Sequence, residues 1–98
     1  MRKITKAAIA AFNSATPFKQ DNTTIKVLPN VTIMLLYNNE IAYRYNDPEK
    51  TLSITTAGWD TPTTKERLNS IDGVNVSTKK GQLYLNGEIW DGGLIDIK

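Results

Sequence analysis

Ala57-Gly58-Trp59-Asp60-Thr61-Pro62-Thr63-Thr64-Lys65-Glu66-Arg67-Leu68-Asn69 is the stretch that decides the fold. It reads as a strand leaving through a Gly-containing turn and a helix starting immediately after. Thr63-Thr64-Lys65-Glu66 has the pattern of a capping box, in which the Thr63 hydroxyl takes an orphan N–H and Glu66 reaches back to the Thr63 N–H. Thr61-Pro62 offers a second start, with proline at the first helical position. The Glu partner favours Thr63. At 100° per residue Thr64, Leu68 and Ile71 share one side, Arg67 lies at its edge, and Lys65 and Asn69 point elsewhere. Asp72-Gly73 ends the helix, glycine being the natural residue for the left-handed exit.

Upstream, residues 24–56 alternate as a meander. Ile25 and Val27 come first, then Val31, Ile33, Leu35 and Tyr37 interleaved with Thr32, Met34 and Leu36. Both sets of that second strand are largely apolar, which predicts a central strand covered on both faces. Asn38-Asn39 suits a tight hairpin because Asn tolerates positive φ. Ile41, Tyr43 and Tyr45 follow, then a turn at residues 47–50, then Leu52 and Ile54. Downstream, Val74 and Val76 form a strand, Lys79-Lys80-Gly81 a turn, Leu83 and Leu85 a second strand, and Asn86-Gly87 a strong two-residue hairpin turn. Ile89 and Trp90 return, and the tail beyond Gly92-Gly93 extends that strand past a bulge. At the N-terminus Thr5 caps a helix over residues 5–14, with Ile4, Ala8, Ala11 and Phe12 on one face and Pro17 as its stop. The order is α-β-β-β-β-α-β-β-β. The expectation is an α+β fold: one small domain over residues 1–98, an antiparallel sheet made of a meander plus a C-terminal hairpin, and two helices.

Composition excludes much chemistry. The 98 residues contain no histidine and no cysteine. Disulfides, Cys/His zinc sites, cysteine nucleophiles and histidine bases are therefore absent. Twelve basic and ten acidic residues give a net charge of +2 and mix along the chain, without the basic block of a dedicated nucleic-acid binder. Apolar runs stay far below the ~20 residues of a membrane helix. The apolar stretch after Arg2-Lys3 is too short for a signal peptide. These features predict a cytoplasmic, non-membrane protein without cofactor or metal.

No stretch reads as a catalytic motif, so the chain is expected not to be an enzyme. Binding residues are read from three places. Thr63, Thr64, Lys65 and Arg67 could form an anion site at the helix start, where free N–H groups and the helix dipole favour negative charge. The competing reading is a cap with solvated charges. Trp59 and Trp90 could be interface anchors or stacking platforms, or lids over the core. Tyr43, with Tyr37 and Tyr45, could stack bases on one sheet face, which Arg44 opposes; direct nucleic-acid binding would use these tyrosines with Arg44 and with Lys79 and Lys80 at a hairpin tip. Ile33, Leu35 and Ile41 on the same face argue for core-edge tyrosines instead.

The joint quoted above, together with Asn38-Asn39-Glu40-Ile41-Ala42 and Lys80-Gly81-Gln82-Leu83-Tyr84-Leu85-Asn86-Gly87-Glu88-Ile89-Trp90-Asp91-Gly92, resembles a group of small tailed-bacteriophage accessory proteins. The resemblance runs from about Phe18 onward and brings no catalytic residues. It implies a non-catalytic protein that binds a host protein or nucleic-acid-processing complex, for host takeover or counter-defence. Two alternatives stand beside that: direct nucleic-acid binding, and a nucleotide or phosphate ligand at the Thr63 helix start. Edge strands would also allow a homo-oligomer by strand pairing.

Overall fold

The computed structural model describes residues 2–97. Helix α1 (Lys3–Ser14) is followed by β1 (Phe18–Gln20), β2 (Thr23–Val27), β3 (Val31–Leu36), β4 (Asn39–Tyr45) and β5 (Leu52–Ile54). Helix α2 (Pro62–Asn69) precedes β6 (Val76–Lys79), β7 (Gln82–Leu85), β8 (Glu88–Ile89) and β9 (Ile95–Ile97). The expected α+β order holds, with β1 added as a short edge strand and the tail forming β9. All strand pairs are antiparallel. They build a six-stranded sheet in the order β1-β2-β3-β4-β5-β9 and a three-stranded sheet β6-β7-β8.

Strand register sorts the core. Ile25 lies opposite Met34, Met34 opposite Ala42, and Ala42 opposite Ile54, so one face carries these four side chains in a row. A bulge between Met34 and Leu35 leaves Ile41 as the extra residue on β4, and Ile41 is buried beside Ala42. Phe12 of α1, Leu68 of α2, Val76, Leu83 and Leu85 of the small sheet and Trp90 just past it close over this face in one core. Each fully buried large side chain there contributes roughly 1.5–3 kcal/mol.

The opposite face lies outside this cluster: Ile33 faces Tyr43 and Val31 faces Tyr45, and although Ile33 is buried none of the four joins the contiguous core. The molecule is 20 Å across its shortest axis, the thickness of two layers. The expectation that β3 is covered on both faces holds at Ile33, which is buried, and fails at Val31 and Leu35, which are half-buried. Its apolar second face is shielded sideways by neighbouring strands, with Tyr43 and Tyr45 stacked at 6.3 Å between centroids.

Three boundaries differ from the sequence reading. α1 starts at Lys3 with Arg2 as N-cap, and Thr5 is buried inside the helix instead of capping it. The β3–β4 turn uses Tyr37 and Asn38, both at positive φ (51° and 65°), so Tyr37 leaves the sheet and Asn39 resumes it. The tail does not prolong β8. Gly92 turns at φ 85° and its carbonyl accepts from the Thr56 N–H at 2.9 Å and the Thr55 hydroxyl at 2.8 Å, which steers β9 across to pair with β5. A side chain at Gly92 would press on Thr56, so glycine is required twice over, by space and by φ.

Candidate functional site

The joint between β5 and α2 is built from its own residues. Ala57 and Gly58 take positive φ, and the Trp59 N–H donates to the Thr56 carbonyl at 2.9 Å, closing the turn. Thr61 is the N-cap: its hydroxyl accepts from the Thr64 N–H at 3.2 Å, with Pro62 as the first helical residue. The Thr63 capping box does not form. Glu66 faces α1 instead, accepting from Arg2 at 2.8 Å, from the Thr5 hydroxyl at 2.7 Å and from Arg67 at 2.6 Å. These partners, Thr5 foremost, hold the Glu66 carboxyl below its ordinary pKa.

Arg67 corrects the sequence reading most. It is fully buried, at 0% exposure, and is no surface contact. Its guanidinium donates to Thr5 at 2.6 Å, Thr23 at 3.0 Å and Asn22 at 3.3 Å besides Glu66. It thereby ties α2 to α1 and β2. Burial pulls its pKa below the ordinary value, an effect that Glu66 opposes. Thr64 is buried too, its hydroxyl sharing a hydrogen bond with that of Thr61 at 2.9 Å. The helix start therefore spends Thr64 and Arg67 on structure, leaving Thr63 and Lys65 half-exposed.

What the joint does create is a cleft of about 360 Å³. Leu36, Ile41 and Thr56 floor it, Thr61 and Thr64 wall it, and Tyr37 and Trp59 flank its mouth. Those two aromatics are 67% and 59% exposed. Trp90, by contrast, is buried and donates its indole N–H to the Gly93 carbonyl at 3.0 Å, as a core lid does. Lys65 donates to the Thr78 hydroxyl at 2.7 Å and lies 3.9 Å from Asp60. That bond brings Lys65 beside the β6–β7 tip, where Lys79 and Lys80 are exposed and make no ion pair among the described residues. Trp59 and Thr64 thus share the cleft, and Lys65 links the start of α2 to the strand that carries Lys79 and leads to Lys80.

Tyr43 and Arg44 do not join them, nor each other. Tyr43 is on the open face, its hydroxyl donating to Glu40 at 2.7 Å; burial and Glu40 push its pKa up to about 12. Arg44 is on the core face, its guanidinium 5.2 Å from the Phe12 ring centroid. A base-stacking platform combining Arg44 with Tyr37, Tyr43 and Tyr45 does not exist. Tyr37 was the residue whose place at the cleft sequence reasoning missed; the Asn38-Asn39 pair drew the turn one residue too far along.

Among the described residues no helix is long and apolar enough to cross a membrane, and no group of three or more acidic side chains is placed to hold a metal ion. No curated protein and no solved structure matches the chain. A family model does: that of the Kyanoviridae Gp96 protein, over residues 1–94. A match over nearly the whole chain, on both helices and most of the strands just described, makes this protein a member of the phage Kyanoviridae Gp96 family.

Proposed function

We propose that this phage protein is a non-catalytic binding protein whose Trp59–Tyr37 cleft receives an apolar side chain of a host protein. The observation that carries the reading is the pair of exposed aromatics at the mouth of an apolar cleft. Interface energy concentrates in such places, where an anchor fills a pocket ringed by Trp and Tyr. Tyr37 adds an independent support. An aromatic residue at φ 51° is held in a strained backbone region that Asn or Gly would occupy more cheaply.

Charge narrows the partner. Lys65, next in sequence to Thr64 of the cleft wall, meets Thr78, beside Lys79 and Lys80 in the chain, and these three lysines supply positive charge outside the cleft lining. The fitting partner presents its apolar anchor beside acidic residues, which would also speed encounter at low salt. The test is capture from infected-cell lysate with tagged protein, followed by binding measurements with the purified partner. Trp59→Ser should weaken binding at least tenfold, about 1.4 kcal/mol or more. A stoichiometric partner that binds wild type and Trp59→Ser equally would sink the proposal.

A further inference from the structure

A second cavity lies at the other end of the β3–β4 hairpin, against the C-terminal turn of α1, with a volume of about 330 Å³. Phe12, Val27 and Val31 supply apolar wall, and Asn13, Arg44 and Lys50 supply polar groups. Arg44 occupies a mid-strand position on the core face, opposite Thr32 and Leu52. Its guanidinium is pinned over the Phe12 ring, an arrangement that fixes its orientation. The Nε atom is buried and has no hydrogen-bond partner, and Arg44 makes no ion pair among the described residues.

That is a costly way to fill a strand position. A buried donor left unmade carries the full desolvation penalty of that group, and an unbranched apolar residue would occupy the same space without it. Nor is the charge balanced locally. Lys50 donates only to the Asn46 amide oxygen, at 2.9 Å. In the same loop the Asp47 carboxylate is engaged by the Thr51 N–H at 2.9 Å and the Thr51 hydroxyl at 2.8 Å, which hold its pKa below the ordinary value. Two cations therefore line an apolar-walled cavity with no anion committed to them.

We infer that this cavity binds a small organic anion, its carboxylate or phosphate head on Arg44 and Lys50 and its apolar body against Phe12, Val27 and Val31. A planar guanidinium matches either head by paired hydrogen bonds. The volume sits at the lower end of small-ligand sites, which run from roughly 300 to 1,000 Å³.

The experiment is NMR titration of the ¹⁵N-labelled protein with phenyl phosphate, benzoate and inorganic phosphate, reading the Arg44 Nε–H and the amides of Asn13, Val31 and Lys50. Phenyl phosphate or benzoate should give saturable shifts at all four. Inorganic phosphate, lacking the apolar body, should bind roughly tenfold more weakly at the same place. Which organic probe is tighter identifies the head group. Arg44→Met keeps the stem over Phe12 and removes the donors, so it should abolish the response; Val31→Trp, which fills the cavity, should block phenyl phosphate in a folded protein. No saturable shift with any probe overturns the inference. So do shifts that survive both variants, or equal binding of phenyl and inorganic phosphate.

Discussion

Truncating Arg67 should be among the most damaging single changes in the molecule. In Arg67→Ala two buried methylenes are lost, together with donors to Thr5, Thr23, Asn22 and Glu66. The methylenes account for about 1.6 kcal/mol at ~0.8 kcal/mol each. The remaining cost depends on what the partners do next. Thr5 and Glu66 keep their bond to each other, Glu66 keeps Arg2, and Thr23 keeps Asn22 at 2.8 Å. Few groups are orphaned, so the hydrogen-bond and cavity terms add about 2–3 kcal/mol, for a total near 3–5 kcal/mol. Arg67→Met refills most of the volume and should cost only about 1–2 kcal/mol, since Glu66 remains paired at the surface. Urea unfolding followed by tryptophan fluorescence measures both, with an unchanged m-value showing that the native state is the one affected. If Arg67→Ala unfolds within about 0.5 kcal/mol of wild type, the range of ordinary surface substitutions, the buried guanidinium bridge is refuted.

Other consequences are open to direct measurement. Glu66 has a lowered pKa in the folded protein, so its contribution is present above the unfolded value of 4.5 and disappears as pH falls through the folded value. Stability of wild type should therefore fall more steeply on acidification below that value than stability of Glu66→Gln, in urea titrations at stepped pH. In a spectrophotometric alkaline titration one phenol should ionise near pH 12, and Tyr43→Phe should remove that step. Tyr37→Asn should relieve the strained turn and raise stability by about 0.5–1 kcal/mol while weakening partner binding. Gly92→Ala should destabilise by about 2 kcal/mol or more, through both the crowding of Thr56 and the positive φ, as read by the melting temperature.

The strands and the α+β order were legible because they rest on local signals. Alternation in Thr23–Val27 and Val31–Leu36 and the Asn86-Gly87 turn survive almost unchanged in the structure. What was hidden depends on residues far apart in the chain. Thr63-Thr64-Lys65-Glu66 has a valid capping pattern, yet Glu66 is drawn to Arg2 and Thr5, which lie 64 and 61 residues away. Local pattern cannot rank a cap against partners that only the fold brings near. Arg67 lay at the edge of the apolar side of α2, next to Thr64 and Ile71. That position was the one available hint of burial, but its polar partners come from α1 and β2. The cleft was half legible. Trp59 stood out, while Tyr37 was assigned to a strand because a hairpin with a tyrosine at positive φ is an uncommon solution. Arg44 was placed on the face opposite its neighbouring tyrosines, yet nothing in its spacing shows that it meets Phe12 from a helix at the other end of the chain.

The most direct measurement of the proposed binding role compares wild type, Trp59→Ser, Tyr37→Asn and the remote control Lys19→Ala in one capture experiment on infected-cell lysate, with each variant first shown to unfold cooperatively. Wild type and Lys19→Ala should recover the same stoichiometric host protein, and both cleft variants should lose it. Recovery of no stoichiometric partner, or equal recovery by all four proteins, would contradict a binding role for the Trp59–Tyr37 cleft.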